Sequence, residues 1–413
     1  MIKTKRFLHL WFSQALSQLT IQIMNFLIIV RIFEATGSTI ATSIIWIAYA
    51  LPAIVLGPFA AALVDLVDRR RVLMLTNLLQ AVAVFLYALS DPKYLFLSYG
   101  VVLVYALFNQ FYVPAEAASL RRVVPKEKLP QANGIFFVTQ NVSVVAGFGL
   151  AGILNSFIGY KNSFLAAAVM LFFAFISVSL LPRMRVKNNL GKRFEAKLAN
   201  FFVKIKEGYS FIRGHKDVLF PFLLLIALHV ALIIVTTNLP AMAQDLLRIS
   251  PSYAGFLIAV PAGIGAALGT LTITKVMKKE VRKKSIIEIG LVVMGTAIWA
   301  TAILLPQLTT PLTRIVASVV LFMAAGASFV AVVVPAQTYI QEKTPDALMG
   351  RVFGNFWFLA TIATIFPVMF SATISDVLGV RTLLFLLGFL AFLALTISLK
   401  EGQKIIENQE YQK

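Results

Sequence analysis

The sequence predicts an all-α polytopic membrane protein whose twelve transmembrane helices form two six-helix pseudo-repeat bundles. Three observations lead there. Of 413 residues, 59% are hydrophobic and only 13% charged, which overrides the two or three soluble domains that the length alone would suggest. Apolar runs of about 20 residues, enough for one helical crossing of a bilayer core, recur from Leu8 almost to the C-terminus between short charged or Pro/Gly-containing breaks. A short segment following the fourth run also has a counterpart following the tenth.

The crossings are placed at 8–33, 40–64, 72–89, 94–113, 132–158, 163–181, 218–239, 253–274, 286–305, 315–338, 352–374 and 382–399. Lys3, Lys5 and Arg6 precede the first as they would a signal peptide, but the run is too long and no small-residue cleavage site closes it, so it is a membrane helix. Along it Gln14, Gln18, Gln22 and Asn25 make one polar stripe. Amides in hydrocarbon are costly unless they meet partners or water, so the stripe reads equally as a substrate-cavity wall or as helix–helix bonding. Arg31 and Glu34 at its outer end are spaced to pair as i,i+3.

Between the second and third crossings, DLVDRRRV (65–72) packs two carboxylates and three arginines. Asp65 ends a helix, where the macrodipole disfavours a carboxylate, so it needs a compensating partner. Arg69 is one candidate, and the start of the eleventh crossing near 347–350 is another. The plain alternative is a solvated loop that orients the chain. Further cavity candidates are Asn109, Gln110 and Tyr112 in the fourth crossing, Gln140 and Asn141 in the fifth, and Asn355 and Trp357 in the eleventh.

GFGLAGIL (147–154) spells G-x-G-x-x-G, but no strand precedes it and it lies inside the fifth crossing, so it is no dinucleotide site. Gly147, Gly149 and Gly152 instead let helices approach closely. In the seventh crossing His229 sits mid-helix; because a free imidazole titrates near neutral pH it is, with Glu34, a candidate for proton coupling, although a lone histidine on an apolar helix is more often a packing residue.

Formal net charge is +19. Over twelve crossings it sorts by side: the odd-numbered loops carry Arg31, Lys93, Lys161, Arg248, Arg314 and Arg381, leaving 31 of the 37 Lys and Arg on the other face. That bias puts both termini in the cytoplasm of a plasma (inner) membrane protein and removes nucleic acid as a partner. The domains are then 1–182, 183–216, 217–400 and a tail at 401–413. The 183–216 linker holds ten Lys/Arg, and Phe194, Leu198, Phe201, Phe202 and Ile205 recur in it at helical spacing, so it includes an amphipathic helix on the inner membrane surface.

VPAEAASLRRVVP (113–125) and VPAQTYIQEKTP (334–345) occupy equivalent boundaries of the two halves, and tandem six-helix repeats indicate a transporter with a midplane site. Enzymatic motifs are missing. The chain has no cysteine, hence no thiol catalysis or thiolate metal site. His9, His215 and His229 lie in separate segments without H-E-x-x-H, G-x-S-x-G or a P-loop, so neither an enzyme nor an ATP-driven pump is expected.

GPFAAALVDLVDRRRVLML (57–75) resembles the loop between helices two and three of the major facilitator superfamily. Its D-x-x-D-R-R-R-V ending is similar to the branch of drug and siderophore exporters that includes macrolide-efflux and enterobactin-export proteins. TGSTIATSIIWIAYALPAIVLGP (36–58), YVPAEAASL (112–120), LPQAN (129–133), GFGLAGIL and, in the second half, TPDALMGRVFG (344–354) resemble the same branch. Ala61 and Leu66 depart from the usual Gly and Arg, and Ile273 in GTLTITKVMKK (269–279) stands where the second half would carry a carboxylate.

The resemblance implies the major facilitator fold and an inner conformational gate of Asp65, Arg69, Arg70 and Glu116. It also implies a proton-coupled exporter of small amphipathic, drug-like molecules, working as a monomer in the lipid bilayer without cofactor or metal. An exporter or flippase of an endogenous siderophore or lysophospholipid is the alternative; a non-transporting sensor is a distant one.

Overall fold

The structure, a computed structural model, describes residues 4–64, 66–91, 93–184, 191–279 and 281–410; the side chains of Ala61, 191–202, Lys216 and 401–410 fall outside that description. Its helices are α1 (Lys5–Thr36), α2 (Thr39–Val64), α3 (Arg69–Leu89), α4 (Phe96–Val123), α5 (Leu129–Ser179), α6 (Gly191–Gly214), α7 (Lys216–Met242), α8 (Val260–Met277), α9 (Lys283–Gln307), α10 (Pro311–Lys343), α11 (Asp346–Leu378) and α12 (Val380–Glu410).

Among the described residues eleven helical segments are long and apolar enough to cross a membrane. One of them, the 54-residue stretch Lys126–Ser179, holds two crossings. It breaks at Gly159, whose φ of 75° and ψ of 168° lie outside the helical region and are open to glycine but strained for any residue with a Cβ. The fifth and sixth crossings are therefore the two limbs of α5, the basic α6 is not among the candidate spans, and the described residues hold twelve crossings.

The chain divides into two compact units, Met1–Lys204 and Ile205–Lys413. In the first, α1 and α3 pack on α5, and α2 and α3 on α4. In the second, α8 and α9 pack on α10, α12 on α9, and α7 on α11. Large apolar residues such as Phe85, Phe157, Leu312, Phe366 and Leu390 remain exposed on these helices. A helix that is apolar on its outward face suits hydrocarbon rather than water.

The VPA repeat is structural. Pro114 and Pro335 lie inside α4 and α10, and the next residues, Ala115 and Ala336, are fully buried in the apolar cores of their own units. Each helix ends just before Val124-Pro125 or Thr344-Pro345, because a residue preceding proline is driven out of the helical region.

Several helices outrun their apolar stretches. α4 continues to Val123 where the apolar run stops at 113, and α11 starts at Asp346 rather than 352. Hydropathy marks the part of a helix inside hydrocarbon, whereas the backbone ladder continues for as long as side chains allow. Arg121 and Arg122, in the last turn of α4, favour this by complementing the negative helix end.

Caps set other ends. Thr4 accepts a hydrogen bond from the Phe7 amide, and Gly37, at φ 64°, donates its amide to the Phe33 carbonyl. Thr310 caps α10, with Pro311 in its first turn. Arg314 is buried, and its guanidinium donates to the Leu308 carbonyl at 2.6 Å and the Leu247 carbonyl at 3.3 Å.

Candidate functional site

The charged stretch after α2 is mostly a helix start. Asp65 lies outside the described residues. Asp68 is the N-cap of α3, and its Oδ1 accepts from the Arg70 amide at 3.0 Å and from the Met184 amide at 3.2 Å. It therefore ties the start of α3 to the chain leaving the sixth crossing. Arg69, Arg70 and Arg71 form the first turn of α3, where the dipole is unfavourable to cations and a carboxylate cap offsets them.

The Arg70 guanidinium donates to the carbonyl of Ser179 at the opposite, negative end of α5. Glu116 sits on α4 with Oε1 buried, beside the buried Tyr112 hydroxyl; the two groups interact electrostatically without a well-aligned hydrogen bond. No hydrogen bond or ion pair joins Arg70 to Glu116. Arg69 is half-buried in the same turn.

The polar stripe of α1 splits by depth. Gln14 is buried, and its Nε2 donates to the Phe136 carbonyl of α5 at 3.1 Å, while its Oε1 has no partner among the described residues. Gln18 and Gln22 are half-buried, and Asn25 is buried with Oδ1 unpaired. Gln22 packs against Gly147: a Cβ placed there would lie 2.5 Å from the Gln22 Cβ, so only glycine lets α5 come this close to α1. Gly149 and Gly152 are buried on the same limb.

Sequence reasoning missed the residues facing this stripe. Asn77 on α3 donates to the Ser13 hydroxyl at 3.0 Å, Gln80 donates to the Tyr105 carbonyl at 3.2 Å, and the Ser17 and Tyr105 hydroxyls lie 3.5 Å apart. All five residues are buried. Two amides three residues apart in an otherwise apolar crossing were the available signal, since that spacing puts both on one face. Gln14 Oε1, Asn77 Oδ1, Gln80 Oε1, Asn25 Oδ1 and the Tyr112 hydroxyl have no hydrogen-bond partner among the described residues, so the first unit buries a set of unsatisfied polar atoms in its interior.

Elsewhere in that unit, Asn109 donates to the Tyr49 hydroxyl at 3.4 Å, and Gln140 is exposed. At the outer end, Arg31 donates to the Tyr87 hydroxyl at 3.0 Å and lies over its ring. The Glu34 carboxylate accepts from the Tyr160 hydroxyl at 2.9 Å, linking α1 to the residue after the Gly159 break.

The second unit brings two of the nominated residues together. His229 on α7 meets Trp357 on α11 edge to face, with ring centroids 5.7 Å apart, and Phe356 lies 6.4 Å from His229 and 5.1 Å from Trp357. Phe356 is buried against Phe222, whereas Trp357 is 59% exposed. The group is a half-open aromatic wall with no carboxylate among these four side chains. Asn355 faces elsewhere: its Nδ2 donates to the Ile205 carbonyl of α6 at 3.0 Å and to the Arg351 carbonyl at 2.8 Å.

No group of three or more His, Cys, Asp or Glu side chains suited to a metal occurs among the described residues. The first unit offers a polar interior and the second an aromatic wall.

The chain is 26% identical over 381 residues to an uncharacterised MFS-type transporter, YfiS, of Bacillus subtilis, covering 92% of this chain and 88% of that one. It is 27% identical over 216 residues to macrolide efflux protein A of Streptococcus pyogenes, covering 51% and 52%. A shorter match, 26% over 163 residues and 36% and 39% of the two chains, joins it to the multidrug efflux pump Tap of Mycolicibacterium fortuitum. Among solved structures, a nucleoside transporter NupG mutant superposes with a TM-score of 0.74 at 12% identity over 95% of this chain and 99% of that one, a likeness of fold alone. The Major Facilitator Superfamily model matches residues 10–368, most of the chain, and the protein belongs to that family of membrane transporters.

Proposed function

We propose that this transporter exports amphipathic, drug-like molecules from the cytoplasm by alternating access, with protons as the coupling ion. The observation that carries the substrate class is the aromatic wall of His229, Phe356 and Trp357. An exposed indole edge-packed on an imidazole presents a polarisable face that binds flat or cationic apolar molecules with little geometric demand. The first unit, taken by itself, buries hydrogen-bonding groups beside α1, which suits a substrate that also carries polar groups.

Relatives named for macrolide and multidrug efflux support this reading, although each match covers about half or less of either chain. The charge bias supports an inner-membrane protein with both termini inside. Asp65, Arg69, Arg70 and Glu116 make up the inner gate in this reading, and Glu34 and His229 carry the coupling protons.

A ligand-stabilisation screen of the purified protein tests the substrate class. Macrolides and hydrophobic cations raise the melting temperature, because a ligand that binds only the folded state stabilises it. A shift with siderophores or lysophospholipids alone would overturn the assignment.

A further inference from the structure

The basic helix α6 carries a feature that solute transport does not use. Its second half is seated on α11. Gly208 is buried so closely there that a Cβ would lie 2.3 Å from the Asn355 Nδ2 and 2.8 Å from the Arg351 carbonyl oxygen. Glu207 forms an ion pair with Arg351 at 2.5 Å, Asn355 donates to the Ile205 carbonyl, and Ile212 is buried in the apolar core of the second unit. Four anchors over two turns fix this helix rotationally.

Its orientation leaves Lys206, Tyr209, Ser210 and Arg213 exposed on another face. At about 100° per residue they span one stripe, turned roughly 115° from the face holding Ile205, Gly208 and Ile212. They line a shallow concavity of about 400 Å³. None of the four has a hydrogen-bond or ionic partner among the described residues. Two cations and two hydroxyls converging on one hollow make a donor set for a phosphate, and the adjacent Glu207 is already held by Arg351.

Position decides which phosphate. Val218, the first buried apolar residue of α7, follows Arg213 by only five residues, across the non-helical break at His215 that separates α6 from α7. A cationic hollow this close in sequence to the start of a membrane-spanning helix is juxtamembrane, where it faces headgroups.

We propose that Lys206, Tyr209, Ser210 and Arg213 form a binding site for the phosphate of an anionic phospholipid headgroup, fixed in place by the docking of α6 on α11. A basic side chain near an anionic membrane surface contributes about a fivefold gain in affinity, so losing both cations weakens binding about 25-fold.

The test titrates the full-length protein in detergent with dioctanoyl phosphatidylglycerol, dioctanoyl phosphatidylcholine or inorganic phosphate, following the melting temperature. The expected result is saturable stabilisation by phosphatidylglycerol only, with the apparent Kd raised about 25-fold in Lys206→Gln/Arg213→Gln and little changed in Lys278→Gln/Lys279→Gln, which removes equal charge elsewhere. Unchanged affinity in the first variant, equal loss in the second, or equal stabilisation by inorganic phosphate would overturn the site.

Discussion

Replacing Asp68 with alanine removes two hydrogen bonds and one charge from a single point. Loss of the α3 N-cap costs about 1 kcal/mol. The Met184 amide loses its acceptor, which adds about 0.5–1.5 kcal/mol. Arg69, Arg70 and Arg71 are left at a positive helix end without the carboxylate that offsets them, worth about 0.3–1 kcal/mol at such an exposed terminus. Together the variant is destabilised by about 2–3.5 kcal/mol, whereas Asp68→Asn, which keeps a good cap, loses about 1 kcal/mol or less. Melting temperatures of both variants in one detergent measure this. An Asp68→Ala protein as stable as the parent, or an asparagine variant as damaged as the alanine one, would refute the assignment of Asp68 as a clamp between α3 and the exit of α5.

Asp65→Asn should abolish transport while leaving expression and melting temperature unchanged, since its proposed role is in the gate; full transport would remove that role. Gly147→Ala should cost about 1–3 kcal/mol of stability, because the added methyl meets the root of Gln22 rather than a movable tip. Gly159→Ala should cost a similar amount through backbone strain alone, as nothing lies within 4 Å of its Cβ position. His229→Asn should abolish accumulation driven by a proton gradient while preserving downhill substrate exchange, measured in proteoliposomes with and without an ionophore.

Legibility followed the physics. The count of crossings was readable because hydrocarbon forces each spanning segment to satisfy its own backbone as an apolar helix, and the VPA repeat marked matching packing positions in α4 and α10. The ends of α4 and α11 were not readable, because helix continues beyond the apolar window. In the charged stretch the sequence showed Asp65 and the arginines but gave no weight to Asp68, whose value depends on where α3 starts and on an amide 116 residues away.

The polar interior was half visible. The α1 stripe stood out by periodicity, while Asn77 and Gln80 matter through partners on other helices. Asn355 and Trp357, two residues apart on α11, read as one kind of candidate; packing of α6 separates them, engaging the amide and leaving the indole open.

The most direct measurement of the central claim is transport by purified protein in proteoliposomes, comparing the parent with Trp357→Ala for a macrolide and a lipophilic cation. The parent moves both. Because Trp357 is more exposed than buried, the variant keeps its melting temperature within a few degrees, and loss of one aromatic contact of about 1.4 kcal/mol raises KM about tenfold. A parent that moves neither compound, or a Trp357→Ala variant with unaltered KM for both, would contradict the account.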